Sequence, residues 1–397
     1  MKTSYFHGMK GMLKRVAVVA MAGVVAFSAA ACGGGGDNPS DSGSAKIKIG
    51  GIGPLTGSAA VYGNAVYHGA QIAVDEINAM GGDIQFELNF QDDENDAEKS
   101  VNAYQKLKDW GVQLLLGTVT TTPCVAVSAE TYGDRVFELT PSASSTDVTK
   151  GKDNMFQLCF TDPNQGTTAA KYLLENNLAD KVAVIYNNAD AYSTGIYNAF
   201  SAELKANGKN TVYVGTFSSD DNADFSVQLT GAQSAGADLV LMPIYYTPAS
   251  MILAQAEKMN YKPTFFGLDG MDGILAMEGF NTDLAEGLML MTPFNPWSTD
   301  EKVASFVKTY QEKYGETPNQ FAADAYDCVY AFYEACKAKG VTADTDAADI
   351  CEEFIAYFTG EAAFDGLTGN GMTWSEKGEV SKDPVVCVIQ GGIYVDR

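Results

Sequence analysis

Histidine and arginine are almost absent from this chain after residue 31. His68, Arg135 and Arg397 are their only representatives there. A Ser–His or Cys–His catalytic pair would therefore have to use His68, which falls in a predicted helix. The sequence also contains no GxSxG elbow, no HExxH motif and no GxxxxGK[ST] loop. Carboxylate pairs are abundant, so composition alone leaves a glycosidase-like site open. We nevertheless expect a protein that is not an enzyme.

The shortage of arginine also limits how an anionic ligand group is held. With so few guanidinium groups, a bound carboxylate has little chance of meeting a bidentate arginine fork. Backbone N–H groups and hydroxyls at turns are the alternative, and this sequence has them in quantity. Metal-ligand spacing is absent as well, and we expect neither a metal site nor a cofactor.

Basic side chains are far outnumbered by acidic ones. The chain has 26 basic and 50 acidic side chains and a net charge of −24. Its first 31 residues hold four of the basic side chains and no acidic one, so the remainder carries −28 (−24 − 4). This balance argues against nucleic acid and against an anionic lipid surface as partners. High solubility is its simplest consequence.

The cysteines do not form a recognisable motif. The chain has 7 of them and no CxxC, which argues against zinc and against a thioredoxin-like site. Cys328 and Cys336 lie in one predicted helix and are not expected to pair with each other. An exported chain permits disulfides, but sequence alone does not choose among the possible pairings, and free buried thiols stay open.

The first 45 residues read as a leader and a tether. Four basic residues precede the apolar stretch 16–27, which is too short to span a membrane, so 1–31 is predicted to be a signal peptide. Small residues before Cys32 are similar to a bacterial lipobox, with Ala29 where leucine is usual. We expect lipidation at Cys32, with conventional cleavage as the alternative, and a flexible tether over 32–45. The predicted location is the extracytoplasmic face of the cell membrane, through a lipid anchor.

Residues 47–78 organise the rest of the chain. An alternating apolar run at 47–52 predicts a buried strand, a turn rich in small residues follows, and a helix is predicted from about Asn64. The N-terminus of such a helix suits an anionic ligand group, and Tyr62 at its entrance is placed to cover one. An ordinary strand–helix connection without a ligand is the alternative.

Strand and helix patterns then alternate twice along the chain, separated at 161–163 by a predicted linker. This alternation predicts an α/β fold with two doubly wound lobes built on parallel sheets. Five polar turns follow strands, and in open α/β sheets ligands bind at the carboxyl ends of the strands. No one of these turns is specific, but together they predict a ligand cleft.

The chain resembles a known family over residues 46–397. The motifs that carry the resemblance are IGGIGPLTGSAAVYG, GAQIAVDEINAMGG, LTPSAS, TDPNQGTTAAKYLLE, DAYSTGIYNAF and ILAQAEKMNYKPTFFGLDG. They are similar to the type I periplasmic binding proteins of branched-chain amino-acid ABC transporters, the Leu/Ile/Val-binding class. The resemblance implies three crossovers near 161–164, 291–294 and 373–377. It implies an N-terminal lobe at 46–161 and 293–374, a C-terminal lobe at 162–292 and 375–397, and hinge closure on the ligand.

The same resemblance implies a site for an amino acid between the lobes. Hydroxyl-rich turns of the first lobe would hold the carboxylate, an acid of the second lobe would hold the ammonium, and aromatic residues would line the pocket. The positions that match are Thr120, Thr121, Ser142 and Ser144 for the carboxylate, Asp269 for the ammonium, and Tyr62, Tyr192, Tyr245 and Phe321 for the walls. Tyr246 competes with Tyr245, and each of these residues has a purely structural alternative as a turn former or core residue.

The partners follow from this reading. We expect the ligand to be an amino acid with a branched-chain, apolar or aromatic side chain. The expected partners are ABC permease subunits and the membrane, through the lipid anchor. We expect no nucleic-acid partner and a monomeric protein. A ligand sensor that docks to a receptor is an alternative with the same fold. An amide- or urea-type binder of the same family is another, and Asp269 argues against it.

Overall fold

A computed structural model describes residues 45–218 and 223–397 of the chain, and these residues contain two β-sheets. The strands of the first sheet are β1 (Ile47–Gly53), β2 (Phe86–Asp92), β3 (Leu114–Leu116), β4 (Phe137–Thr140) and β5 (Met155–Gln157). Those of the second are β6 (Val182–Asn187), β7 (Tyr213–Phe217), β8 (Leu239–Met242), β9 (Thr264–Gly267), β10 (Met289–Thr292), β11 (Val385–Gln390) and β12 (Ile393–Asp396). The predicted leader, Cys32 and the tether up to residue 44 lie outside the described residues.

Ten α-helices accompany the strands in the described residues. They are α1 (Ala60–Ala79), α2 (Ala97–Trp110), α3 (Thr121–Asp134), α4 (Asp162–Glu175), α5 (Ala191–Ala206), α6 (Ser226–Ser234), α7 (Tyr246–Lys258), α8 (Glu301–Tyr314), α9 (Gln320–Lys339) and α10 (Ala347–Gly360). Helices α1, α9 and α10 cover one face of the first sheet, and α2 and α3 cover the other. Helices α4 and α5 cover one face of the second sheet, with α6 and α7 opposite. Strands covered on both faces need continuous apolar runs, as in the fully buried Leu114–Leu116.

The two sheets share one winding. The first has the order β2-β1-β3-β4-β5 and is parallel throughout, and the second repeats it as β7-β6-β8-β9-β10. The α/β fold with two doubly wound sheets is therefore confirmed. The second sheet departs from the expected parallel pattern, because β11 and β12 add an antiparallel hairpin beside β10. Gly391 and Gly392 both have positive φ, which a tight two-residue hairpin turn requires.

Several helices begin earlier than their apolar patterns suggest. Helix α1 starts at Ala60 rather than near Asn64, so Tyr62 lies in its first turn. The predicted linker at 161–163 is wrong: Thr161 caps α4 and accepts a hydrogen bond from the Asn164 N–H at 3.4 Å. Pro163 is in the first turn, where its missing N–H costs nothing.

The third connection between the sheets comes later than 373–377. Trp374 donates its indole N–H to the Gln157 carbonyl of β5 at 2.8 Å, and the Gly378 carbonyl accepts from the Gln157 N–H at 2.8 Å. Lys382 forms a buried ion pair with Asp324 of α9 at 2.5 Å. Since β11 begins at residue 385, the chain reaches the second sheet between 382 and 385. The predicted boundary at 374/375 falls inside a segment that still packs on the first sheet.

Two further features concern helices and thiols in the described part of the chain. No helix there combines the length and the apolar character needed to cross a bilayer. All six cysteines that the structure describes are buried and unpaired; they are Cys124, Cys159, Cys328, Cys336, Cys351 and Cys387. Of the two alternatives left by the sequence, the structure has free buried thiols.

Candidate functional site

The carboxyl ends of the two sheets meet around one small cavity. All nine predicted ligand residues line it, together with Val119 and Gly270; the nine are Tyr62, Thr120, Thr121, Ser142, Ser144, Tyr192, Tyr245, Asp269 and Phe321. The cavity volume is about 10 Å³, far below the roughly 300–1,000 Å³ of pockets that hold drug-sized ligands. The closed cleft therefore has room for about one water molecule, and the two sides must move apart to admit anything larger.

One wall of the cavity is the N-terminus of α3. Thr120 is the residue before the first turn, and its side chain does not cap the helix. Its hydroxyl is buried and has no hydrogen-bond partner. Free N–H groups at a helix N-terminus, together with an adjacent hydroxyl, form a site for an anion. This wall therefore presents donors to the cavity.

Ser142 and Ser144, on the loop after β4, differ in what they offer. The Ser142 hydroxyl donates to the Val119 carbonyl at 2.6 Å, so its proton ties this loop to the loop after β3. A hydroxyl has one proton, which leaves Ser142 without one for an anion in this conformation. Ser144 is 1% exposed, and its hydroxyl has no hydrogen-bond partner. Ser144 therefore keeps its hydrogen-bonding capacity for the cavity.

Asp269 lies on the opposite wall, directly after β9. Its carboxylate accepts from the Gly270 N–H at 2.7 Å, and its own N–H donates to the Gln165 side-chain oxygen at 3.3 Å. Burial raises the pKa of Asp269 to about 7, although the hydrogen bonds from Tyr192 and Gly270 and the nearby Gln165 side chain offset part of that rise. A carboxyl in this setting gains from a cation that enters the cavity.

Aromatic rings form the remaining walls. The rings of Tyr62 and Phe321 lie 4.4 Å apart, and those of Tyr192 and Tyr245 stack at 5.2 Å. Tyr246 is not part of the lining; its hydroxyl accepts from the Val61 N–H at 3.2 Å and its ring packs edge-on against Tyr62. The structure thus places Tyr245, rather than its neighbour, at the cavity.

Direct hydrogen bonds join the two sides of the cleft. The Tyr62 hydroxyl donates to the Gly270 carbonyl, and the Thr247 hydroxyl donates to the Ser58 carbonyl at 2.7 Å. The Gln320 amide at the start of α9 donates to the Asp269 carbonyl at 2.7 Å. These bonds close the cleft over the cavity.

The sequence reasoning missed three polar residues behind the lining. Gln165 and Gln320 contact the backbone of Asp269, and Asp272 accepts from the Gln320 N–H at 3.0 Å. Gln165 comes two residues after the stretch 161–163, which the sequence predicts to be a linker. Recognising Thr161 as a helix cap would place Gln165 on a helix facing the cleft. Within 45–218 and 223–397 no group of three or more His, Cys, Asp or Glu side chains is arranged to hold a metal ion.

Comparison with known proteins adds to this geometry. A family model described as periplasmic binding protein matches residues 46–390. The Leu/Ile/Val-binding protein BraC3 of Rhizobium johnstonii is 32% identical over 307 residues, which cover 76% of this chain and 82% of that protein.

Solved structures give the same relationship at the level of the fold. The leucine-binding protein LivK of Thermotoga maritima has a TM-score of 0.79 and 27% identity, covering 88% of this chain and 97% of its own. The branched-chain amino acid transporter substrate-binding protein LivJ of Streptococcus pneumoniae, solved in complex with isoleucine, has a TM-score of 0.79 and 28% identity. That match covers 89% of this chain and 100% of its own.

Proposed function

We propose that this chain, which belongs to the periplasmic binding protein family, captures an amino acid between its two lobes as the binding subunit of an ABC importer. One observation carries the proposal: the cavity has unpartnered donors on one wall and a buried carboxyl on the other. An α-amino acid has the complementary arrangement, an acceptor carboxylate beside a donor ammonium. The match in polarity therefore favours a zwitterion over a ligand with a single charge.

The carboxylate end is assigned to the start of α3. Thr120, whose hydroxyl has no hydrogen-bond partner, and Thr121, the first residue of the helix, both line the cavity. A helix N-terminus stabilises an anion through these N–H groups and the helix dipole. No arginine lines the cavity, which agrees with a carboxylate held by neutral donors.

The ammonium end is assigned to Asp269. A buried ion pair is favourable only when the other hydrogen bonds of both partners are made. Asp269 meets this condition because Gly270, Gln165 and Tyr192 already hold the residue in place. An arriving ammonium then supplies the opposite charge that the buried carboxylate lacks.

The aromatic walls suggest the class of the side chain. Tyr62, Tyr192, Tyr245 and Phe321 line the pocket with aromatic rings, and such a lining suits a branched-chain, apolar or aromatic side chain. The relatives named for leucine, isoleucine and valine support this choice. The proposal also places the protein at the extracytoplasmic face of the membrane, anchored through a lipid on Cys32. Its two lobes close on the ligand about three crossovers, and a permease recognises the closed form.

Calorimetric titration against the common L-amino acids tests this function. Asp269→Ala is expected to weaken binding at least about 100-fold, because breaking a buried ion pair costs about 3–5 kcal/mol. Asp180→Ala is the matched control, since it removes an exposed carboxylate of the same lobe outside the cavity. Amino-acid binding that survives Asp269→Ala would place the partner of the ammonium elsewhere. Failure of the wild type to bind any amino acid would favour an amide- or urea-type ligand. A receptor-coupled sensor would bind the same ligand without a permease and ATPase encoded nearby.

A further inference from the structure

A second cavity lies among helices α1, α8, α9 and α10 and the segment 363–367 that follows α10. Its volume is about 660 Å³, within the roughly 300–1,000 Å³ of pockets that hold small organic molecules. It shares no lining residue with the cavity between the two sheets. The proposed function therefore gives this second cavity no role.

Aromatic rings form a wall of this cavity. The rings of Phe306 and Tyr326 lie 5.0 Å apart, and those of Tyr326 and Tyr330 lie 4.7 Å apart. Tyr357 and Phe364 also line the cavity, and among the described residues neither ring contacts that wall. A molecule in the cavity would therefore have rings on more than one side. Such rings cover hydrocarbon and attract cations to their faces.

Carboxylates from four separate elements line the same cavity; they are Glu76, Glu301, Glu334 and Asp365. The cations near them are Lys302, which also lines the cavity, and Lys337, which pairs with Glu334 at 3.2 Å. Asp327 contributes a fifth carboxyl, but its oxygens already accept from two backbone N–H groups at 2.8 and 2.9 Å. The charge balance of the cavity is negative, which suits a cation.

Glu76 is held in place with one oxygen to spare. Its Oε2 accepts from the hydroxyls of Tyr326 at 2.6 Å and Tyr330 at 3.0 Å. Burial raises the pKa of Tyr326, and it raises that of Tyr330 to about 12, so both hydroxyls keep their protons at neutral pH and act as donors. Among the described residues, no group donates a hydrogen bond to Oε1. That oxygen is left for a ligand.

The distribution of these carboxylates favours an extended organic cation over a metal ion. Within 45–218 and 223–397, no group of three or more His, Cys, Asp or Glu side chains is arranged to hold a metal ion. A metal needs its oxygen ligands around one point, whereas these carboxylates come from four elements and share the cavity with rings. A linear polyamine carries several ammonium groups along a hydrocarbon chain. Its charges can reach separate carboxylates while its methylene groups cover the rings.

We propose that this cavity is a second binding site, for a linear aliphatic polyamine, in which Glu76 holds one ammonium group and Glu301 holds another. Glu301 suits this role because it is exposed and forms no ion pair in the described part of the chain. The polymethylene chain lies against the rings of Tyr326, Tyr330 and Tyr357. No lining residue comes from the second sheet or its helices, so the site does not depend on closure of the cleft.

Calorimetric titration of the protein with spermidine, in about 0.15 M salt to screen weak surface attraction, tests this site. We expect one spermidine per chain. Glu76→Gln should weaken its binding about tenfold or more, because the amide keeps an acceptor for the tyrosine hydroxyls but loses the charge that strengthens the ligand's hydrogen bond. Glu301→Gln should cost less, up to about fivefold, since that carboxylate is exposed. Tyr357→Leu should weaken binding about two- to fivefold through loss of a cation–π contact.

Two controls separate this site from the net charge and from the cleft. Glu87→Gln removes an exposed carboxylate of β2 outside the cavity and changes the net charge by the same amount as Glu76→Gln. It should leave spermidine affinity within about twofold, the usual range for surface substitutions. Asp269→Ala removes the carboxyl of the cleft and should also leave spermidine affinity unchanged.

Four results would overturn the inference. Absence of saturable spermidine binding would remove the site, and an equal loss in Glu87→Gln and Glu76→Gln would reduce it to an effect of net charge. Loss of spermidine binding in Asp269→Ala would place the amine in the cleft. Tighter binding of calcium or tetramethylammonium than of spermidine would contradict an extended cation as the occupant.

Discussion

At the scale of single residues, the protonation of Asp269 sets when the site can bind an ammonium. Burial raises the pKa of this carboxyl to about 7. Near neutral pH, Asp269 is therefore protonated in a fraction of the ligand-free molecules. An ammonium pairs only with the ionised form. Binding must therefore release that proton, which links affinity to pH.

We expect amino-acid affinity to be flat near pH 8, where Asp269 is ionised and the ligand still carries its ammonium, and to fall as pH drops below about 7. The sign follows from the raised pKa: acid protonates Asp269 and removes the partner of the ammonium. The limiting slope is about tenfold per pH unit for one released proton. Titration in buffers with different ionisation enthalpies measures the release directly. The Asp269→Asn variant should bind amino acids weakly, with an affinity that does not depend on pH in this range. Equal affinity of the wild type at pH 5.5 and pH 8 would refute the link between binding and proton release.

Most of the residue-level site could be read from the sequence, since motif resemblance placed nine side chains that the structure brings to one cavity. What could not be read is their hydrogen bonding. The sequence does not show that the Ser142 hydroxyl donates to the Val119 carbonyl, or that the Asp162 N–H donates to the Ser144 carbonyl. Such pairs depend on how two loops pack against each other, and packing is a property of the whole fold.

At the scale of elements, hydrogen bonds between the lobes hold the cleft closed. The Thr247 hydroxyl at the start of α7 donates to the Ser58 carbonyl before α1, at 2.7 Å. The Tyr246 N–H donates to the Tyr62 hydroxyl at 3.2 Å. A ligand that binds the closed form benefits from these bonds, because they favour the state that it selects.

Thr247→Val should weaken the binding of every ligand by a similar factor, about fivefold. The lost hydrogen bond is worth about 1 kcal/mol, and it acts on closure rather than on any one ligand. Titration of several amino acids measures the factor. Thr359→Val, which removes a hydroxyl bonded within α10, is the control and should change nothing. A loss confined to one ligand would show that Thr247 acts inside the site.

Helices with strong caps and periodic faces were predicted well, and connections were not. The helix predicted to hold both Cys328 and Cys336 is α9, with Asn319 as its cap and Gly340 in a left-handed conformation after its last turn. The stretch 161–163 was misread because its threonine and proline are equally typical of a linker and of a helix start. The antiparallel pairing of β11 and β12 was not predicted, because the alternation of strands and helices along the chain indicated parallel sheets.

At the scale of the whole molecule, several buried carboxyls make the ligand-free protein sensitive to pH. Burial raises the pKa of Asp93, Asp272 and Asp327 to about 6, and that of Glu138 to about 8. Between about pH 4 and pH 8 the folded state therefore binds protons more tightly than the unfolded state. The free energy of unfolding must fall as pH rises through this window.

We expect the ligand-free protein to be more stable at pH 5.5 than at pH 8.5, by about 1 kcal/mol or more, since one unit of pKa shift corresponds to about 1.4 kcal/mol. The large net negative charge acts in the same direction. Urea unfolding at both pH values is the measurement, with Glu138→Gln as the variant that reduces the difference. Greater stability at pH 8.5 would contradict the assignment of these carboxyls as neutral in the folded state.

The six buried cysteines predict a second property of the whole molecule. Because burial raises the thiol pKa of Cys336 and Cys351 to about 12 and shields the others, the folded protein should react little with a thiol reagent. Unfolding should release six reactive thiols from residues 45–397, and reductant should leave the unfolding temperature unchanged. A drop in that temperature with reductant would indicate disulfides instead.

The central claim is that a zwitterion lies in the cavity with its two charges on opposite walls. A crystal structure of the protein with the amino acid that binds it most tightly tests this most directly. The account predicts a carboxylate at Thr120 and the first turn of α3, and an ammonium within hydrogen-bond distance of Asp269. A ligand bound in the reverse orientation, or outside the cleft, would contradict it.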